Sequence, residues 1–247
     1  MYDKSDIYNM DETGLFYNYQ PNTTISNEPR SGVKKDKSRI SVALAANADG
    51  TDKLPLFFIG KAKRPRCFGT MSADELGYLY RNNRKAWMTI ALFSEWLDIV
   101  NIDMARMSRN IVLILDNASS HSTVTVNLTN VVVVMLPPNT TSHLQPMDAG
   151  IIANFKSNYK RHQIDHAVRT IDEMGRISVA PAIQTKNLYA VDVRTAMSWA
   201  TDAWNDVSSE TIRKCWSRTG IVPEQSLMQR FESMRTSTGN SIAMLLN

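Results

Sequence analysis

The sequence has few cysteines, no long apolar run and no strong charge of either sign. Cys67 and Cys215 are the only cysteines in 247 residues, too few for a disulfide framework or a four-cysteine zinc site. No run approaches eighteen apolar residues, so we expect no membrane helix, and the first ten residues lack the layout of a secretory signal. Hydrophobic residues make up 43% and charged residues 21%, which excludes a disordered chain or a coiled coil.

The positive charge is concentrated in one segment. Ten basic and four acidic residues lie between Glu28 and Arg66, so this segment carries +6 whereas the whole chain carries +4. The clusters GVKKDKSR and GKAKRPR are typical either of solvated hairpin loops or of a surface that contacts nucleic-acid phosphates. The candidates for phosphate contacts are Lys34, Lys35, Lys37, Lys61, Lys63, Arg64 and Arg66.

Hydrophobic periodicity predicts an α/β protein. Strands are expected first, then a helix over residues 89–105 with Thr89 as its N-cap, two continuous apolar strands over residues 111–115 and 131–136, and a long helix from Asp148. Three strands followed by strand–helix alternation indicate a mixed sheet with helices on its faces. Two more helices are predicted over residues 188–204 and 209–216, and the five tryptophans are expected in the core.

Three acids follow buried strands or precede the long helix. Asp11 ends IYNMD, Asp116 ends IVLILD, and Asp148 opens the helix after a proline-containing loop. A buried carboxylate is costly unless a cation or a donor network offsets its desolvation, and carboxylate oxygens are the ligands that Mg²⁺ prefers. Each acid also has a structural explanation, as a turn residue or a helix cap, and the residues alone leave both explanations open.

Other chemistry has weaker support. His121 and His143 are interpreted as ordinary polar loop residues, and His162 with His166 lacks a third metal ligand. The chain has neither a serine-hydrolase G-x-S-x-G frame nor an ATP-binding G-x-x-x-x-G-K-[ST] loop.

Several longer motifs occur together. They are NMDETG, KAWMT, FSEWL, LILDNASSH, LPPNTTSHLQPMDAGII, FKSNYKR and CWSRTGI, in that order from Asn9 to Ile221. The chain resembles the DDE-superfamily endonuclease domain of the pogo and Tigger branch of mariner-like transposases, which is related to Jerky and to the centromere-protein-B lineage. The resemblance covers nearly the whole chain.

The resemblance implies a ribonuclease-H-like fold, a mixed five-stranded sheet flanked by helices, with a helical C-terminal extension. It also implies Asp11, Asp116 and Asp148 as catalytic residues and as ligands of Mg²⁺, with Mn²⁺ as a substitute. The expected activity is metal-dependent cutting and strand transfer on DNA, with transposon ends and target DNA as partners, no membrane, and the nucleus as location. A homodimer is left open.

The expected organisation is a catalytic domain over residues 1–174, a helical extension over 175–234 and a tail over 235–247. Family members carry N-terminal helix-turn-helix modules, for which the eleven residues up to Asp11 leave no room. The chain is therefore expected to be either a fragment of a longer transposase or a domesticated remnant, and the alternative function is that of a non-cutting DNA-associated or assembly protein. A third hypothesis is a haloacid-dehalogenase-like phosphatase with Asp11 as its nucleophile. It is disfavoured because the D-x-D-x-T loop of such enzymes has a second acid at the position where this chain has Thr13.

Overall fold

A computed structural model describes residues 2–18, 36–122, 126–176 and 188–222. The strands in these ranges are β1 (Ile7–Leu15), β2 (Ile40–Asn47), β3 (Phe57–Gly60), β4 (Leu79–Asn82), β5 (Ile111–Leu115) and β6 (Val131–Met135). The helices are α1 (Ile90–Arg106), α2 (Thr141–Leu144), α3 (Ile152–Arg176), α4 (Val193–Asn205) and α5 (Ser209–Thr219), and a π-helical turn (Met147–Ile151) precedes α3.

All six strands form one mixed sheet in the order β4-β3-β2-β1-β5-β6. Strands β1, β2 and β3 are antiparallel neighbours, whereas β5 runs parallel to β1, and β6 parallel to β5. The predicted α/β class, a ribonuclease-H-like mixed sheet flanked by helices, is confirmed. The sheet has six strands rather than five because Leu79–Asn82 adds a parallel edge strand beside β3, and its sequence LYRN has no distinctive strand pattern.

The two faces of the sheet are covered by different helices. On one face α1 packs Phe93, Trp96 and Leu97 against Tyr8 and Met10 of β1 and against alternate residues of β2. Thr89 caps this helix as predicted, because its hydroxyl accepts the backbone N–H of Leu92. Helices α3, α4 and α5 share the core of the other face, so the central strands are covered on both sides.

The C-terminal helices are attached to the sheet by a lysine. Lys53 donates from Nζ to the backbone carbonyls of Trp204, Asn205 and Val207 at 2.7, 2.8 and 2.9 Å. These carbonyls lie at and beyond the C-terminal end of α4, where a cation also complements the helix dipole. The predicted domain boundary at residue 174 stays a prediction, and residues 235–247 lie outside the described residues.

Two predictions about burial are wrong. Strand β6 is an edge strand, so Val132 and Val134 are 50% and 45% exposed although a strand buried on both faces was predicted. Trp87 is 52% exposed although all tryptophans were expected in the core. Among the described helices, none is both long and apolar enough to cross a membrane.

Candidate active site

The three predicted acids are brought together at one end of the sheet. Asn9 of β1 faces Ile114 of the parallel strand β5, so Asp11 is level with Asp116, the residue directly after β5. Asp148 lies in the π-helical turn before α3. The side chains of Asp11 and Asp148 lie close enough to interact, and the charges of Asp148 and Asp116 both act on Asp11.

A buried asparagine holds this arrangement together. The side chain of Asn9 is fully buried; its Oδ1 accepts the backbone N–H of Met147 at 2.9 Å, and its Nδ2 donates to the carbonyl of Ile114 at 2.9 Å. Residue 147 immediately precedes Asp148. Asn9 therefore links β1 to β5 and to the segment that carries the third acid, although both lie more than a hundred residues from Asn9 in the sequence.

The turn that carries Asp148 requires a glycine. Gly150 has φ of 149°, a conformation that residues with a Cβ rarely adopt. A Cβ built at Gly150 would also lie 3.1 Å from the Sγ of Cys215 in α5. The close approach of α5 and the positive φ together fix how the turn enters α3, and hence where Asp148 lies.

The electrostatics of the site differ from one acid to the next. Burial, followed by the charges of Asp148, Glu12 and Asp116, raises the pKa of Asp11 to about 8. Burial also raises the pKa of Asp148. The pKa of Asp116 is lowered, chiefly by its contact with His121. Without a cation, Asp11 therefore carries a proton at neutral pH while Asp116 is ionised.

His121 is a site residue, although it was predicted to be an ordinary polar loop residue. It is only 1% exposed. Its Nε2 lies 3.0 Å from Glu12 Oε2, and its Nδ1 lies 2.6 Å from Asp116 Oδ1, an ion-pair contact without well-aligned hydrogen-bond geometry. Its ring packs on Phe93 with centroids 4.9 Å apart.

The protonation of His121 follows from this position. Burial lowers the pKa of His121, but the carboxylates of Asp116 and Glu12 outweigh burial and raise the pKa to about 10. The positive charge of a protonated His121 thus partly offsets the negative charges of the Glu12 and Asp116 carboxylates. The signals for this pair were local, a Glu directly after Asp11 in NMDE and a His five residues after Asp116 in LDNASSH, but only the fold brings them together.

Lys156 is a second cation near the acids, and it was not among the predicted site residues. It lies on α3, eight residues after Asp148, and the charges of Asp11 and Asp148 raise its pKa, although burial outweighs them and lowers the pKa overall. The available signal was its position eight residues after Asp148, in the long helix predicted to follow that acid.

Those predicted phosphate-contacting residues that the structure describes lie at the same end of the sheet as the acids. Strands β1 and β3 both pair antiparallel with β2, so the C-terminal ends of β1 and β3 point the same way. The loop after Gly60 therefore starts at the end of the sheet that carries the acids. The exposed members are Lys37, Lys61, Lys63, Arg64 and Arg66. Lys34 and Lys35 lie outside the described residues.

The donor set suits a hard divalent cation, because it consists of carboxylate oxygens. In the ranges that the structure describes, no three carboxylate, imidazole or thiol groups are already arranged as a metal site. The proton on Asp11 and the charge of His121 instead offset the carboxylates. A cation would have to replace the proton on Asp11. Such a replacement is favourable here because burial and the neighbouring carboxylates disfavour an ionised Asp11 unless a positive charge is bound beside it.

Comparison with known proteins agrees with this reading of the sequence. The family model described as DDE superfamily endonuclease matches residues 37–216. CENP-B homolog protein 2 of Schizosaccharomyces pombe is 34% identical over 91% of this chain, and Tigger transposable element-derived protein 4 of Mus musculus is 30% identical over 89%. The chain spans 43% and 40% of the length of these two relatives.

Among solved structures, the Mos1 transposase paired-end complex with left transposon end matches 90% of this chain and 57% of its own. The identity is 13% and the TM-score 0.40. The matched segment of the family model includes Asp116 and Asp148 and begins after Asp11. Because that segment covers well over half of the chain, the protein belongs to the DDE superfamily endonuclease family.

Proposed function

We propose that this chain is the catalytic part of a cut-and-paste DNA transposase, in which Asp11, Asp116 and Asp148 form the active site. The observation that carries the proposal is the meeting of these three carboxyls at one end of the sheet, with the pKa of Asp11 raised to about 8. Strongly perturbed carboxyls in one cluster are characteristic of functional sites.

The three acids would hold Mg²⁺, or Mn²⁺ in its place. When bound, such a cation activates the attacking oxygen and stabilises the leaving oxygen of a phosphodiester. The contribution of the protein is to orient the ligands: the contact with His121 directs the Asp116 carboxylate, and Asn9 fixes the segment that carries Asp148. Lys156 would contact a phosphate beside the acids.

The reaction proceeds in two displacements at the same site. Water attacks the phosphorus at the transposon end, and the bond to the 3′ oxygen breaks to leave a free 3′-hydroxyl. That hydroxyl then attacks a phosphodiester of target DNA, so one bond forms and one breaks without a covalent protein intermediate. The exposed basic residues after β3 would contact the DNA backbone.

The remaining expectations follow from this activity. Transposon ends and target DNA are the proposed partners, and the nucleus is the proposed location, as the relatives named for CENP-B and for transposable elements support. A homodimer would place two such sites on two DNA ends.

The test is nicking of plasmid DNA by the purified protein with Mg²⁺ or Mn²⁺. We expect nicking by the wild-type protein and none by Asp116→Asn, because the amide keeps the size of the side chain but loses the ligand charge. Asp98→Asn, an exposed position on α1, is the matched control and should nick like wild type. Equal nicking by Asp116→Asn and by the wild-type protein would contradict the proposal.

A second candidate function is a DNA-associated protein that keeps the fold without cutting. The observation that favours it is the contact of Asp116 with buried His121, which occupies a carboxylate oxygen that a cation would need. This candidate predicts DNA binding that needs no metal and is unchanged by Asp11→Asn, Asp116→Asn or Asp148→Asn. Metal-dependent nicking by the wild-type protein contradicts it.

A further inference from the structure

Trp87 lies in the loop between β4 and α1 and exposes 52% of its surface, whereas Trp96, Trp204 and Trp216 are 3% exposed. A single exposed aromatic residue carries no argument by itself, since such residues are common on protein surfaces. The hydrogen bonds that fix the loop around Trp87 and the two cations beside the indole do support an inference.

The loop is held firmly with the indole turned outward. The side chain of Asn83 donates to the carbonyl of Trp87 at 2.6 Å and accepts the N–H groups of Lys85 and Trp87 at 3.1 and 3.2 Å. Ala86 is fully buried with φ of 52°, and its carbonyl accepts a 2.6 Å hydrogen bond from Ser41.

This conformation is unfavourable for an alanine and persists only where its surroundings impose it. Backbone strain of this kind is concentrated at binding and catalytic sites. Because the loop is already ordered, a ligand that stacks on the indole loses little free energy to ordering.

Two cations flank the indole. The guanidinium carbon of Arg39 lies 5.2 Å from the ring centre, and the Nζ of Lys85 lies 5.4 Å from it. In the described ranges neither cation forms an ion pair with a carboxylate. Lys85 is exposed on a flexible stem, so its ammonium can leave the ring for a phosphate when a base takes its place.

The cluster lies close to the candidate active site. Ser41, which holds Ala86, faces Gly14 across the β1–β2 pair, and a Cβ at Gly14 would lie 3.7 Å from Nη1 of Arg39. Gly14 is three residues beyond Asp11 on β1, a distance of about 10 Å along a strand. The guanidinium of Arg39 therefore lies near a strand position about 10 Å from Asp11, which is within a few nucleotides along a bound DNA strand.

We propose that Trp87, Arg39 and Lys85 form a binding site for one unpaired DNA base, which stacks on the indole while the cations contact the adjacent phosphates. The proposal rests on the proposed function, because it is the DNA strand at the acids that would reach this site. An aromatic face accepts any base, and flanking cations suit the backbone on either side of it. The indole would thus hold a strand end open within a few nucleotides of the reacting phosphate.

The experiment measures DNA binding by the full chain in EDTA, so that cutting does not interfere. Two fluorescent DNAs of equal nucleotide number are compared by anisotropy, a blunt duplex and a duplex with a short unpaired 3′ overhang. We expect the wild-type protein to prefer the overhang, and Trp87→Ala to weaken overhang binding by on the order of tenfold to a hundredfold with little effect on blunt DNA. Trp87→Phe, which keeps an aromatic face, should retain most of the preference.

Ile90→Ala is the matched control, because Ile90 is a neighbouring exposed apolar residue. It should bind both DNAs like wild type. Equal binding of the two DNAs by the wild-type protein, absence of binding, or an equal loss for both DNAs in Trp87→Ala would overturn the proposal. Nicking by the wild-type protein and by Asp116→Asn is measured in a separate assay with metal. A failure of the stacking proposal can therefore be distinguished from a failure of the proposed catalytic function.

Discussion

Asp11→Asn should stabilise the metal-free protein, and increasingly so as the pH rises. The folded-state pKa of Asp11 is about 8, against an ordinary value of 3.8. The folded protein therefore keeps a proton on Asp11 that the unfolded chain releases above about pH 4. The stability that this proton contributes is fully present below about pH 4 and is lost as the pH rises through 8.

The size of the effect follows from the width of that window. Each pH unit between the two pKa values lowers the free energy of unfolding by about 1.4 kcal/mol, so from about pH 5 to about pH 7.5 the loss is on the order of 3 kcal/mol. Asparagine mimics the protonated acid: its carbonyl can accept the N–H of Glu12, which now lies 2.7 Å from Asp11 Oδ1, and its amide can donate to Asp148. The variant should escape this loss.

The assay is thermal unfolding of the wild-type protein and Asp11→Asn in EDTA at several pH values. For a chain of this size, 3 kcal/mol corresponds to roughly 10 °C in Tm, so the two melting curves should separate by about that much between pH 5 and pH 7.5. Asp98→Asn, at an exposed position, should follow wild type. Parallel pH profiles for wild type and Asp11→Asn, or a variant that is less stable than wild type at pH 8, would refute the reasoning.

Two further substitutions test how the site and its support are assembled. Lys53→Met removes the three hydrogen bonds to the carbonyls at the end of α4 and should lower stability by roughly 2 kcal/mol, measured by urea unfolding; an unchanged midpoint would contradict this role. Asn9→Leu leaves the buried N–H of Met147 and the carbonyl of Ile114 without partners and should cost roughly 3 kcal/mol. It should also reduce the rise in Tm that Mg²⁺ gives the wild-type protein, and an undiminished rise would show that Asn9 does not position Asp148.

Elements with a strong local pattern were predicted well. Helix α1 begins after Thr89 and ends within a residue of its predicted end, because amphipathic spacing and an N-cap are both local signals. Strand β5 was predicted correctly since a continuous apolar run is typical of a strand covered on both faces. The same reasoning failed for β6, because an apolar run does not tell a central strand from an edge strand.

Contacts between distant parts of the chain could not be predicted from such patterns. His121 and Glu12 lie 109 residues apart, and Asn9 and Met147 lie 138 apart. Periodicity reports which face of an element is apolar, whereas these polar contacts depend on strand register and on the turn at Gly150. Trp87 was misjudged for a related reason: its exposure follows from the positive φ of Ala86 and the hydrogen bonds of Asn83, which no hydrophobic count contains.

The carboxylate of Asp11 is disadvantageous for folding, and that disadvantage bears on function. An amide at this position could make the hydrogen bonds to Glu12 and Asp148 without repelling Asp116, so the packing of the sheet does not require an acid there. Asn9 and the two hydrophobic cores hold the surrounding elements whether or not the acid is charged. A carboxylate in this place becomes favourable only when a cation replaces its proton, because the cation offsets both the burial and the neighbouring charges that raise the pKa of Asp11. Stability without metal and nicking with metal should therefore change in opposite directions in Asp11→Asn.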